Sequence, residues 1–324
     1  MSLLTRCATL WAAALFATPL ALAQTPAPAG RVVKLIVPYA AGGGTDILGR
    51  QLAEVLGPEL KLTMIVENKP GAGTTLGAQE VARAAPDGNT LLLGDLALAV
   101  NPSLFHKMPY DPQKDLAPVA LVAAAPLVLV VGKQSGVTTV KDLVARAKAE
   151  PGKLSFASAG IGNPPHLAGE LFRLTTDTNI VHVPYKGVGP ALNDVLGGHV
   201  TMLFTGISST KQHIDAGSIT ALAVTGAQRA PTLPNIPTIT EAGFAAADVT
   251  SWWGLFAPPT LPPDQVQGLA QATERVLKAP TLQDKLRAQN IAATYGGPEA
   301  MRAKLKSETG QWARVIRAAN IQPE

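Results

Sequence analysis

An apolar strand that runs into glycines and then opens a helix leaves a chain few folds to adopt, and this chain carries that device twice. The first copy is Val32-Val33-Lys34-Leu35-Ile36-Val37, then Pro38-Tyr39-Ala40-Ala41-Gly42-Gly43-Gly44-Thr45-Asp46, then a helical pattern from Ile47 to Leu56. The second is Leu154-Ser155-Phe156-Ala157, then Ser158-Ala159-Gly160-Ile161-Gly162-Asn163, with a helix opening near Pro164. A helix start exposes about four N–H groups without intrahelical partners and the positive end of the helix dipole, so a glycine loop leading into one makes an anion site. Two such loops could close on one small acid from opposite sides.

The rest of the pattern sets these loops in an α/β protein. Strand and helix signals alternate over Val32–Val37, Ile47–Leu56, Leu62–Val66, Leu76–Ala84 and Thr90–Leu93. They alternate again over Val140–Ala149, Leu154–Ala157, His166–Leu174, Ile180–Val183, Val188–Leu196, Val200–Leu203 and Ala221–Val224. Such spacing predicts βαβ units, parallel sheets and helices on both faces, in two lobes. In the first helix Ile47, Leu48, Leu52, Val55 and Leu56 are expected on the face that covers the sheet. The apolar stretch Ala117–Gly132, interrupted by Pro126, suits a pair of strands or a crossover between lobes better than a helix. Two closing helices, with apolar positions at Val266 to Leu277 and at Met301 to Ile316, are expected to brace the first lobe or the hinge without strands of their own. The lobes are read as 31–122 with 228–324, and 123–227.

The N-terminus reads as an export signal over residues 1–23: Arg6, a mostly apolar run from Leu10 to Leu22, and Ala21-Leu22-Ala23 as a cleavage site ahead of Gln24. A run of about thirteen residues is short of the roughly twenty that span a bilayer. A soluble, periplasmic protein is expected. The one cysteine, Cys7, lies in that segment, so the mature chain would have no thiol, no disulfide and no cysteine ligand. Hydrophobic residues make up 47% and charged residues 15%, which excludes disorder. A formal charge of +4 with only 5% aromatic residues, and no cationic run, gives no nucleic-acid face.

Each motif has a plain reading beside the functional one. Gly42–Asp46 can be a turn capped by Thr45 or Asp46, and it lacks the lysine of a nucleotide P-loop. Gly71-Ala72-Gly73-Thr74-Thr75-Leu76-Gly77 loosely matches a dinucleotide pattern, but Glu67–Pro70 separates it from its strand, so a structural helix start is favoured. Ser158, with His166 or His182, offers an exported hydrolase as the rival function, weakened because only one of the two elbow glycines is present. The five histidines show no metal-ligand spacing, so no metal, no cofactor and no catalytic residue is expected. Asn163-Pro164-Pro165-His166 reads as a cap and a proline helix start, with His166 in the first turn beside the glycine loop. Asp95 ends a strand, where it either caps the next turn or faces the ligand.

Taken together, Ile36–Asp46, Val66–Gly73, Asp87–Leu92, Ala159–Gly162, Val183-Pro184-Tyr185-Lys186-Gly187, Gly197-Gly198 and Leu233–Thr238 with Glu241-Ala242-Gly243 resemble the periplasmic solute receptors of tripartite tricarboxylate transporters, the Bug-type receptors. The resemblance covers essentially the whole mature chain. It implies a two-lobed periplasmic binding protein fold with a ligand cleft between lobes, no enzymatic activity, and a membrane permease as partner. It implies a small organic acid or amino-acid-like ligand, its carboxylate held by Tyr39, Gly43, Gly44, Thr45 and Asp46 on one lobe and by Ser158, Ala159, Gly160 and Gly162 on the other. Tyr185, at the end of its strand, would line the cleft, and His166, in the first turn of its helix, would lie close to what the second glycine loop binds. Thr205-Gly206, where the family often has Asp-Asn, and Asp95, where it commonly has Ser or Thr, would face the distal part of the ligand.

Overall fold

The computed structural model describes residues 30–321 except 40 and 186, so the export signal and Cys7 lie outside the described residues. In chain order the first elements are β1 (Val32–Val37), α1 (Gly44–Glu59), β2 (Thr63–Asn68), α2 (Thr75–Ala82), β3 (Thr90–Asp95), α3 (Ala97–Leu104) and β4 (Ala117–Gly132). Next come α4 (Val140–Ala149), β5 (Ser155–Ser158), α5 (Pro164–Thr176), β6 (Val181–Pro184), α6 (Val188–Gly197), β7 (Met202–Gly206), α7 (Ile207–Asp215) and β8 (Ile219–Val224). The chain closes with β9 (Thr250–Ala257), α8 (Pro263–Leu277), α9 (Pro280–Ala288), β10 (Ala292–Gly296) and α10 (Pro298–Ala318).

The stretch from Ala117 to Gly132 is neither a pair of strands nor a helix but one strand of 16 residues, and it organises everything else. Its first half pairs with β9 and β10, its second half with β7 and β8, all antiparallel. Two parallel sets flank it: β1 with β2 and β3, and β5 with β6 and β7. The sheet is therefore mixed rather than parallel, in the order β2-β1-β3-β9-β4-β7-β5-β6. The C-terminal part does supply strands, contrary to expectation, and β9 sits in the middle of the sheet between β3 and β4.

Strand direction then fixes where a ligand can go. Because β9 is antiparallel to both β3 and β4, the first parallel set runs in the direction of β4, while β7 and its parallel neighbours run against it. In register, Asp95 lies opposite Trp253 and Trp253 opposite Ala123, while Gly206 lies opposite Leu127. The C-terminal ends of both sets thus converge on the middle of β4, from its two sides. Open α/β sheets bind ligands at that edge.

Helix packing keeps those ends in place. Leu48, Leu52 and Leu56 of α1 recur at i, i+4, i+8 and are fully buried against the sheet. Ile47, expected on the same face, is 40% exposed at the mouth of the helix. Gly169 lets α5 lie directly on β5, since a Cβ there would come within 2.2 Å of the Phe156 ring.

Pro126 cannot donate to a ladder, and the chain changes partners at that point. The next amide, Leu127 N–H, is satisfied by the buried Thr225 hydroxyl at 2.7 Å, and Thr225 N–H returns a bond to Leu127 C=O at 2.8 Å. Thr225→Val keeps the shape but strands a buried donor, so it should cost about 1–3 kcal/mol in urea unfolding, where Thr225→Ser should cost less. Equal stability of the Val variant and the wild type would show that the hydroxyl does not support the crossover.

Candidate functional site

The first glycine loop is built by a carboxylate. Asp46 Oδ2 accepts from Gly42 N–H at 2.8 Å and from Arg50 Nε at 3.0 Å, while Oδ1 accepts from Asn68 Nδ2 at 2.9 Å. Its side chain is nearly buried beside the Arg50 guanidinium, and Arg50 leads the contacts that pull its pKa down to about 2. Asp46 is therefore spent on holding the loop. Thr45 is also committed, its hydroxyl accepting from Trp253 Nε1 at 2.9 Å. Neither caps the helix: the N-cap is Gly43, and it makes no side-chain cap bond. The expected cap would have covered the very donors that stay open. Among the described residues, the N–H groups of Gly44, Thr45 and Asp46, the first turn of α1, have no protein partner, and they lie at the positive end of the helix. A Cβ at Gly44 would meet nothing within 4 Å, so the mouth is open there.

The second loop has the opposite character. Helix α5 opens with Pro164 and Pro165, which have no N–H, and the next amide, His166 N–H, is capped by Asn163 Oδ1 at 3.0 Å. This helix end has no spare donors in its first turn. Within the loop, Gly162 N–H donates to His166 Nδ1 at 3.0 Å and Gly160 N–H to Ser158 Oγ at 3.2 Å. That leaves the N–H groups of Ala159, Ile161 and Asn163 without a protein partner among the described residues. Gly160 and Gly162 stand at φ of 129° and 78°, where L side chains are strained.

Ser158 lies 2.7 Å from His182 Nε2, the spacing of a nucleophile and its base. Yet Ser158 is wholly buried and its Oγ also bonds the Gly160 carbonyl and amide, so it is a loop brace that no substrate reaches. His182 stacks between Phe156 at 4.8 Å and His166 at 4.1 Å. His166, Glu170 and His182 bring three ligand-type atoms within 4.8 Å of one another. Their chemistry does not suit a cation. With the His166 Nδ1 lone pair taken by Gly162 N–H, a neutral ring carries its proton on Nε2, and Glu170 is already paired with Arg173 at 2.8 Å.

The remaining expected residues are placed as follows. Tyr39 donates its hydroxyl to Asp95 Oδ2 at 2.6 Å, and Asp95 Oδ1 accepts from Ala97 N–H at 3.0 Å, so Asp95 does cap the turn before α3. Burial and then the neighbouring Asp95 charge push the Tyr39 phenol well up, and burial raises Asp95. Tyr185 repeats the device, donating to Asp194 Oδ2 at 2.5 Å, with its pKa raised to about 12 chiefly by desolvation. Thr205 is fully buried in β7, with Ser209 Oγ at 3.3 Å.

Between the two strand sets lies a cavity of about 130 Å³. Tyr39, Ala97, Asn101 and Leu104 line it from one side and Ile161 to Asn163 from the other, with Gly73 and Thr74 completing the wall. Of the residues expected from sequence, Tyr39 and Gly162 reach this lining. Gly73 and Thr74 were read as a structural helix start. They belong to a run from Gly71 to Thr74 with positive φ throughout, a costly conformation for Ala72 and more so for β-branched Thr74. Asn101 supports it, donating to Gly73 C=O at 2.7 Å. A larger cavity of about 330 Å³ lies between residues 228–231 and the α9–β10 region, but its arginines Arg229 and Arg287 are already paired with Glu241 and Asp284.

Burial lowers the pKa of His166 to about 3 and of His182 to about 4. Unfolded histidine titrates near 6.5. Between these values the unfolded chain binds more protons, so stability is complete above about pH 6.5 and is lost as pH falls toward 4, while the Asp46 contribution goes below about pH 4. For His166 alone the slope reaches about 1.4 kcal/mol per pH unit, and for the more exposed His182 less. Urea midpoints from pH 7.5 to 4.5 should fall steadily, and His166→Leu should flatten the decline. A flat wild-type profile would contradict neutral burial of the pair.

The chain is similar to known proteins in sequence and in fold. The family model for the tripartite tricarboxylate transporter family receptor matches residues 48–321. The periplasmic binding protein BugD superposes with a TM-score of 0.77 at 36% identity, covering 91% of this chain and 99% of that one. Rpa4515 of R. palustris with adipate gives a TM-score of 0.79 at 34% identity, covering 91% and 99%. MatC from Rhodopseudomonas palustris with bound malate gives 0.75 at 31% identity, covering 88% and 99%. These relatives are solute-binding proteins rather than enzymes, and nothing in them supports the hydrolase alternative. The chain belongs to the tripartite tricarboxylate transporter receptor family.

Proposed function

We propose that this protein is an exported, two-lobed receptor, 31–122 with 228–324 and 123–227, that captures a small carboxylate-bearing solute and closes around it for a permease of the tripartite tricarboxylate type. The observation that carries the reading is the uncapped mouth of α1, where the N–H groups of Gly44, Thr45 and Asp46 have no protein partner among the described residues. One carboxylate of the solute sits there, and the loop N–H groups of Ala159 and Ile161 close over it from the facing lobe. Adipate and malate, named with two relatives, carry carboxylates of the kind this mouth would take.

The far end of the site favours a donor on the ligand. The Tyr39 hydroxyl donates its one hydrogen bond to Asp95, so its oxygen has only lone pairs left to offer. A hydroxyl or ammonium group on the solute is therefore preferred there, and each further carboxylate is repelled by Asp95, so that two cost more than one. This reading places a hydroxy or amino acid with fewer carboxylates ahead of citrate, a hydroxy acid that carries three.

Thermal shift with malate, aspartate, adipate and citrate tests both parts, since a ligand at a hundred times its Kd adds about 2.7 kcal/mol to the folded state. Malate or aspartate should stabilise the protein most and citrate least, and Asp95→Asn should weaken aspartate more than adipate. Gly44→Val should abolish binding at unchanged melting temperature, because its side chain would enter open space at the mouth. Gly160 is a poorer test, since its positive φ would strain any side chain. Tight citrate binding indifferent to Asp95→Asn would refute the polarity argument, and full affinity in Gly44→Val would move the carboxylate elsewhere.

Among the described residues no helix is long and apolar enough to cross a membrane. Export is read from Arg6 to Ala23. Cell fractionation should recover the protein from the periplasm with an N-terminus near Gln24, whereas a cytoplasmic product that keeps Cys7 would defeat the assignment.

A further inference from the structure

His166 stands beside the site without lining its cavity, and its bonds form a reciprocal pair. Asn163 Oδ1 accepts from His166 N–H at 3.0 Å, and His166 Nδ1 accepts from Gly162 N–H at 3.0 Å. A capping box has the same logic, with a Glu or Gln side chain at the third helical position reaching back to an amide before the helix. Here an imidazole takes that place. Its ring is held flat against His182, with centroids 4.1 Å apart and planes 29° from parallel, and His182 is in turn held by Ser158 Oγ and the Phe156 ring. His166 is 2% exposed, so its acceptor meets Gly162 without competition from bulk water.

The amide so fixed is well placed to matter. Gly162 lines the cavity between the lobes, and a Cβ on it would come 2.2 Å from Leu104 Cδ1 of α3, so the loop and α3 touch across the cleft at that residue. The peptide that His166 holds thus sets both the cleft wall and the orientation of the neighbouring Ile161, half exposed at the loop tip.

We propose that His166 is a positioning residue for solute capture, its Nδ1 lone pair fixing the Gly162 peptide so that the second glycine loop meets the ligand in one conformation. This rests on the receptor reading, and it assigns His166 no direct contact with the solute. The ring is selected over a carboxylate because it accepts without carrying a negative charge beside the anion to be bound. Burial, which lowers its pKa to about 3, keeps the acceptor available.

The test separates the acceptor from the bulk of the side chain. His166→Leu retains an apolar side chain with no acceptor, and His166→Asn places Oδ1 near the position of Nδ1. Amide hydrogen exchange at Gly162, read by NMR on the full mature protein, should quicken by roughly tenfold in His166→Leu and recover most of its protection in His166→Asn. Calorimetric titration with malate and with adipate should show affinity falling roughly tenfold in the Leu variant and returning to within about threefold of wild type in the Asn variant. Gly162 exchange as slow in His166→Leu as in wild type overturns the proposal, as does an Asn variant no better than Leu. If wild type binds neither probe, the receptor reading is what fails, and the exchange measurements alone decide the role of His166.

Discussion

Everything that makes a binding site here depends on the antiparallel register of two parallel strand sets against one shared strand. Reversing either set would send its C-terminal edge, with its loops and helix starts, to the outer end of the molecule. Because β4 passes through both halves, Asp95 by way of Trp253 and Gly206 directly are registered to Ala123 and Leu127, close together along a single strand. The convergence is a hydrogen-bonded fact of the sheet and needs no ligand to produce it. Pro126 falls between those registers, where the ladder changes partners, and the Thr225 hydroxyl supplies the acceptor that the interrupted ladder lacks.

The two glycine loops that this arrangement opposes look alike in sequence and differ in electrostatics. At α1 the carboxylate of Asp46 is drawn back onto Gly42, Arg50 and Asn68, which neutralises it locally and leaves the first-turn amides open. At α5 the prolines and Asn163 remove or satisfy the first-turn donors, and the loop's own glycine amides are tied to Ser158 and His166. One side therefore supplies most of the positive field and the other a fitted wall with a few spare donors. An anion near the α1 mouth gains a dipole interaction of about 0.3–1 kcal/mol at an exposed site and up to ~2 in a partly buried one, in addition to its hydrogen bonds. Closure against the second loop, as proposed, would move the contact toward the buried case.

The sequence carried the alternation, the two loops and the family resemblance because those depend on local pattern. Val32–Val37 and Val140–Ala149 fall where periodicity puts them, the strand ending at Pro38 and the helix opening on a threonine cap. What failed was long-range or atomic. Nothing in Thr250–Ala257 announces a central strand, since its place between β3 and β4 is decided by partners far off in sequence. Thr45 and Asp46 are ordinary cap residues, and only the positions of Trp253, Arg50 and Asn68 show that both are engaged elsewhere. The loss of donors at α5, in contrast, was written in Pro164-Pro165, a pair that starts a helix well and for the same reason cannot bind an anion with its first turn. The part of the loop from Gly71 to Thr74 in the cavity wall could not be read, because a glycine-rich helix start has the same sequence whether or not a ligand faces it.

The repeated Val-Pro-Tyr triplet shows how the charges around the cleft are kept apart from the anion it would hold. Each tyrosine stands just past a parallel strand and donates its hydroxyl hydrogen bond to an aspartate, Tyr39 to Asp95 and Tyr185 to Asp194. Each pairing covers a carboxylate that would otherwise stand bare near the C-terminal edge of the sheet, and each converts a donor into an oxygen that can only accept. The side chains around the cleft thus contribute acceptors, while the donors come from the backbone at α1 and at the second loop. On the proposed reading, a solute would lie with its acid end at the glycines and its donor end toward Tyr39, and its direction would be set by the hydrogen-bond donors of two tyrosine–aspartate pairs rather than by any arginine or lysine.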